Sequence, residues 1–128
     1  MIPKFRAWLK KEQKMDNEID HISWLEDELY CIGDGITYMV LAEDLVLMQS
    51  TGLKDKNGKE IFEGDIVDYK GREAVVKWHG SYASFIYRFV DGLQERGSKW
   101  DPLFLACYNF EVIGNIYENP ELLEVKDE

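Results

Sequence analysis

The tetrapeptide Asp55-Lys56-Asn57-Gly58, set between Gly52-Leu53 and Ile61-Phe62, constrains the path of this chain more than any other stretch. Asn-Gly accepts the left-handed backbone that a tight reversal demands, and an Asp at the turn start can accept hydrogen bonds from backbone N–H groups beyond it. The spacing predicts a reversal between two extended segments. Glu63-Gly64-Asp65 marks a second turn, after which Ile66, Val67 and Tyr69 open a strand; Ala74 to Trp78 supply its hairpin partner across Lys70-Gly71-Arg72. Asp55, Asn57, Gly58 and Gly64 are accordingly read as structural turn residues. Between Tyr82 and Val90, Ala83, Phe85, Tyr87 and Phe89 alternate with Tyr82, Ser84, Ile86, Arg88 and Val90, the period of two of a long strand with both faces partly covered.

The flanks fit the same class. Phe5 to Trp8 reads as a strand entering a hairpin through the polar Leu9–Met15 stretch, and a weakly amphipathic segment through Ile19, Ile22, Trp24, Leu25 and Leu29 ends at Gly33-Asp34-Gly35. Ile36 to Leu41 and Leu45 to Gln49 read as further strands. Gln94 to Asp101 is polar and glycine-containing, as expected of a surface loop ended by Pro102, and Leu103 to Ala106 suits either a strand or a short helix. Phe110 to Ile116 closes the strands, with Gly114 at a bulge or a close backbone approach. Asn119-Pro120-Glu121 has the cap, first-turn proline and carboxylate of a helix start, predicting a short helix over about 120–124. The expected fold is mainly β: a small barrel-like (SH3-like) antiparallel β domain with an N-terminal β segment and short helices. Residues 1–128 are read as one domain, with an acidic N-terminal half over 16–53 and a barrel-like part over about 45–118.

Hydrophobic residues make up 45% of the chain and aromatics 13%, which separates it from chains too polar to fold. No run approaches the ~18 apolar residues of a membrane span, and Lys4, Arg6, Lys10 and Lys11 precede no apolar segment of the secretory kind. Cys31 and Cys107 are few and far apart, as expected of thiols in a reducing compartment. A cytoplasmic protein is expected.

The net charge of −10 opposes general binding to nucleic acid, which draws its affinity from Lys and Arg on phosphates. Between Asp16 and Leu53 there is no Lys or Arg, while Asp16, Glu18, Asp20, Glu26, Asp27, Glu28, Asp34, Glu43 and Asp44 all fall there. Such a stretch makes either a solvated, solubilising face or an acidic surface that steers toward a basic partner.

Three blocks, in order, carry a resemblance: Lys4-Phe5-Arg6-Ala7-Trp8; the stretch from Met48-Gln49-Ser50-Thr51-Gly52-Leu53 through Asp55-Lys56-Asn57-Gly58 to Ile61-Phe62-Glu63-Gly64-Asp65-Ile66-Val67; and Glu111-Val112-Ile113-Gly114-Asn115-Ile116-Tyr117-Glu118-Asn119-Pro120-Glu121-Leu122-Leu123. Together they resemble the YopX family of phage and prophage proteins. The resemblance implies a mainly β domain with a barrel-like portion, encoded by a phage or prophage, in a family without an established activity; it brings no catalytic residues.

Other chemistry is thinly signalled. Asp55-x-Asn57-Gly58 is similar to the centre of an EF-hand loop, but alignment on Gly58 puts Leu53 and Gly64 where the acidic end ligands belong, so a glycine-assisted turn is the better reading. His21, His79, Cys31 and Cys107 are the only imidazoles and thiols, without paired short spacing, so no metal ligands are assigned. Phosphate-loop, dinucleotide and nucleophile-elbow motifs are missing, and no cofactor is expected. The stripe Phe85, Tyr87, Phe89 suits core packing before base stacking, since only Arg88 lies beside it. The expectation is a non-enzymatic module that binds a protein partner, or itself as a homo-oligomer, through an acidic surface. The alternatives are a small metal-dependent enzyme built from carboxylates and a histidine, and a weak nucleic-acid binder using Lys4–Lys14 and Lys54–Lys59.

Overall fold

The computed structural model describes residues 4–17, 21–25, 28–32, 39–90 and 100–123, with the backbone alone for those between 21 and 42. Chain contacts divide it into two units, Met1–Ser50 and Thr51–Glu128. In the first unit β1 (Phe5–Leu9) turns into β2 (Lys14–Asp16), with Ala7 opposite Asp16 and Leu9 opposite Lys14. Gln13 holds the turn at φ 55° while its side-chain amide donates to the Lys10 carbonyl at 2.8 Å. The weakly amphipathic segment forms two strands, β3 (His21–Leu25) and β4 (Glu28–Ile32), paired from His21–Ile32 to Leu25–Glu28. Ile22 and Trp24, β-branched and aromatic, favour extended backbone. Strand β5 (Met39–Leu41) completes that sheet in the order β3-β4-β5. The expected turn at Gly33-Asp34-Gly35 and the start of the strand expected from Ile36 lie outside the described residues.

A 3-10 turn over Ala42–Asp44 leads to β6 (Leu45–Lys54), whose first half pairs antiparallel with β1 from Leu9–Leu45 to Phe5–Gln49. Ala7, Leu9 and Leu45 are buried together there, with Leu47 packed against them.

In the second unit the end of β6 pairs with β7 (Glu60–Phe62) across the turn at Asp55–Lys59. Strands β8 (Asp65–Tyr69), β9 (Arg72–His79), β10 (Ser84–Phe89), β11 (Asp101–Pro102) and β12 (Glu111–Asn115) then form an antiparallel half-barrel sheet in the order β11-β10-β9-β8-β12. The fold is mainly antiparallel β with short 3-10 turns, as the alternation predicts.

Register decides which residues form the core. Ala74 and Val76 lie opposite Phe89 and Tyr87, and this face packs with Ile61, Val67, Leu103, Cys107 and Phe110. The stripe Phe85, Tyr87, Phe89 therefore packs against a core. Its strand begins at Ser84, later than the alternation from Tyr82 suggests, because Gly80–Tyr82 forms a 3-10 turn ended by Ala83 at φ 48°. Strand β12 slips register between Val112 and Gly114, and Ile113 in the bulge is exposed. The helix predicted at 120–124 is a 3-10 turn over Pro120–Leu123, closed by Leu122 N–H donating to the Asn119 carbonyl. Most of the loop expected from Gln94 lies outside the described residues. Among the described residues no helix is long and apolar enough to cross a membrane.

Candidate functional site

Buried polar side chains are the first place to look for chemistry, because an unpaired one is costly and a functional one is often strained. Asp55 is 6% exposed. Its Oδ1 accepts the backbone N–H groups of Asn57 and Lys59 at 2.9 and 2.8 Å, and its Oδ2 accepts that of Val112, 57 residues away, at 2.9 Å. Burial pushes the Asp55 carboxyl up, but the three N–H donors and the Lys59 charge outweigh it, so its pKa lies below the ordinary range. Gly58, at φ 81°, donates to the Asp55 carbonyl, and Lys56 donates to that of Phe110. Asn57 is exposed on the turn. The carboxylate oxygens of Asp55 are thus engaged by backbone, and the residue ties the β6–β7 turn to β12.

Gly64, at φ 88°, donates to Val76 and accepts from Ile116, while Asp65 is buried with its Oδ2 accepting Phe62 N–H at 2.8 Å. Asn115 closes the other end: its Oδ1 accepts Tyr117 and Glu118 N–H, its Nδ2 donates to Glu118, and its own N–H donates to Asn119 Oδ1. A Cβ on Gly114 would stand 2.7 Å from Asn119 Cγ. Glycine is there because the Asn119 side chain needs the space. These groups form a polar scaffold.

Asp16 is half-buried in β2 opposite Ala7, Glu28 starts β4, and Glu18, Asp20, Glu26, Asp27 and Asp34 lie outside the described residues. Glu43 is exposed, while Asp44 meets Lys11 at 3.4 Å and Lys10 Nζ donates to the Glu43 carbonyl. This end of the acidic stretch is partly neutralised by the lysines of the β1–β2 turn. Among the described residues no three of His, Cys, Asp and Glu converge. Cys107 is buried in the core, and His79 packs against Tyr82 and Trp100 at centroid distances of 4.9 and 4.7 Å.

What the second unit offers instead is surface. The Leu103–Asn109 segment makes two short 3-10 turns that bury Leu103 and Cys107, and Phe110 after them is 1% exposed. Between these anchors Phe104, Leu105 and Tyr108 point outward, 58%, 60% and 64% exposed. Ala106 and Asn109 of the same segment line a cleft of about 530 Å³ together with Tyr69, Arg72, Tyr87 and Phe110.

The family model described as YopX protein matches residues 4–124. The chain belongs to the YopX family. It is also similar to the crystal structure of protein EF1440 from Enterococcus faecalis, with 31% identity over 97% of this chain and 99% of that one and a TM-score of 0.60. The X-ray structure of protein yopX from Bacillus subtilis shares 21% identity over 96% and 97% of the two chains, with a TM-score of 0.58, and supports the fold alone. No curated protein matches the sequence.

The three blocks that carry the resemblance coincide in part with the polar scaffold. Asp55, Gly58, Gly64 and Asp65 fall in the middle block and Val112, Gly114, Asn115 and Asn119 in the last, and the bond from Val112 to Asp55 joins the two. The outward side chains and every residue lining the cleft fall between the blocks. Sequence reasoning missed them because Leu103–Asn109 has neither period; a hydrophobic cluster just after a proline was the one available signal.

Proposed function

We propose that this YopX-family chain is a phage- or prophage-encoded interaction module of the bacterial cytoplasm that works without catalysis and binds a protein partner or a second copy of itself. One observation carries the reading: Phe104, Leu105 and Tyr108 are held in solvent by a segment that Leu103, Cys107 and the following Phe110 lock into the core. Large apolar side chains that could collapse inward but are instead presented on an anchored turn supply contact area at little ordering cost, and adjoining exposed apolar groups mark contact surfaces. Tyr and Phe also suit the desolvated centre of a protein interface.

The acidic stretch from Asp16 to Asp44 has a separate role in this reading. Its charge speeds encounter with a basic partner, and the apolar segment holds the complex once formed. Added salt then slows association, whereas the complex persists after it has formed. The test is capture of partners by the tagged chain at low and high salt, run beside the Phe104→Ser/Tyr108→Ser variant. Loss of a captured partner in that variant, with unchanged thermal stability, supports the proposal; equal capture by both chains overturns it.

A further inference from the structure

The cleft beside the outward segment has a composition that a bare packing defect does not need. Its volume, about 530 Å³, is that of small-molecule sites. The rings along it form a connected set: Tyr87 and Phe110 lie 4.8 Å apart, Tyr69 and Phe110 6.0 Å, and Tyr87 and Phe89 5.6 Å. Two cations stand over these rings. The Arg72 guanidinium is 3.7 Å from the Phe89 centroid and the Lys70 ammonium 5.5 Å from that of Tyr69. Asn109 lines the same space with an exposed amide, both donor and acceptor.

Lys70 occupies its place at a conformational cost. It is the first residue of the two-residue turn between Tyr69 and Arg72, at φ 51°, with Gly71 following at φ 86°. Both central residues of such a turn have positive φ, where Asn or Gly is favoured and a long side chain is not. A strained residue that carries a charge over an aromatic cleft points toward function. Burial, followed by Asp101 and Tyr69, raises the Tyr87 pKa, so its hydroxyl stays a donor at neutral pH.

Aromatic rings accept a flat ring, and Arg with Lys accepts a phosphate oxyanion. A cationic ligand would meet two like charges. A long strand would be opposed by a chain of net charge −10 that offers, among the described residues, two cations here. We propose that the cleft binds a free nucleotide, a flat aromatic ring bearing a phosphate, with the ring against Tyr69 and Tyr87 and the phosphate against Lys70 and Arg72. The site shares Ala106 and Asn109 with the segment that carries Phe104, Leu105 and Tyr108, but it uses none of those three outward side chains.

The test is an NMR titration of the full chain with adenosine monophosphate, adenosine, inorganic phosphate and an oligoadenylate of about ten nucleotides. The expected result is saturable binding of the monophosphate with amide shifts at Tyr69–Arg72, Tyr87 and Asn109, and binding about fivefold or more weaker for adenosine and for phosphate. Lys70→Asn suits the turn better than lysine, so it retains the fold, with an equal or higher midpoint of thermal unfolding, and weakens the monophosphate by roughly five- to tenfold. No saturable shift at millimolar monophosphate, shifts confined to other residues, or unchanged affinity in Lys70→Asn overturns the proposal. An oligoadenylate that binds while the monophosphate does not assigns the cleft to a strand and overturns it as well.

Discussion

Replacing Asp55 by Asn isolates the bond on which the second unit most depends. The side chains are nearly isosteric, so packing is conserved, but the acceptor count changes. Asn keeps one oxygen for the N–H groups of Asn57 and Lys59, and turns an NH₂ donor toward Val112 N–H, where Asp presents Oδ2 at 2.9 Å. A hydrogen bond to a charged group contributes about 1.5–3 kcal/mol, and a buried N–H left without its acceptor costs about 1–3 kcal/mol. With the two remaining bonds weakened, Asp55→Asn should lose about 3 kcal/mol at pH 7, equivalent to roughly 10 °C in thermal midpoint for a chain of this size. The pH dependence has a definite sign. Asp55 is held below its ordinary value of 3.8, so its contribution is complete above about pH 4 and disappears as pH falls through its lowered value. The gap between native chain and variant should therefore close in acid. Urea unfolding of both chains at pH 7 and near pH 2, with amide exchange at Val112, reads the two effects. A loss under about 0.5 kcal/mol at pH 7, or a gap unchanged in acid, would refute the reasoning.

Two further outcomes follow from the same contacts. Gly114→Ala should cost about 1–3 kcal/mol, because its Cβ displaces the Asn119 side chain from Asn115 N–H; in an Asn119→Ala background the cost should shrink, and a thermodynamic cycle from denaturant melts measures that coupling. Asp44→Asn should change stability by less than about 0.5 kcal/mol, since its partner Lys11 is largely exposed, as the same melts would record.

The β architecture could be read from the sequence wherever a turn demanded particular residues. Asn57-Gly58, Gly64 and Lys70-Gly71 fix three reversals, and between them a period of two leaves little choice of register. Gly114 was readable as a bulge or a close backbone approach; it directly follows the bulged Ile113, and what approaches it is the Asn119 side chain. The β3–β4 pair was less legible, because Ile19 to Leu29 carries apolar residues at spacings that suit either period. The partner of Asp55 was beyond reach: an Asp before Asn-Gly announces bonds to its own turn, but nothing local announces Val112. Leu103–Asn109 was hardest, since the core takes Leu103, Cys107 and Phe110 at unequal intervals, and which neighbours face solvent depends on the surface they dock against.

On the proposed function, Asp55, Gly114 and Asn115 hold the fold while Phe104, Leu105 and Tyr108 contact a partner. The most direct measurement compares capture from bacterial lysate by the native chain and by Phe104→Ser/Tyr108→Ser, with thermal unfolding recorded for both. The account predicts a partner lost from the variant while the unfolding midpoint stays within about 2 °C, the size of a surface change. The same partner captured by both chains would contradict it.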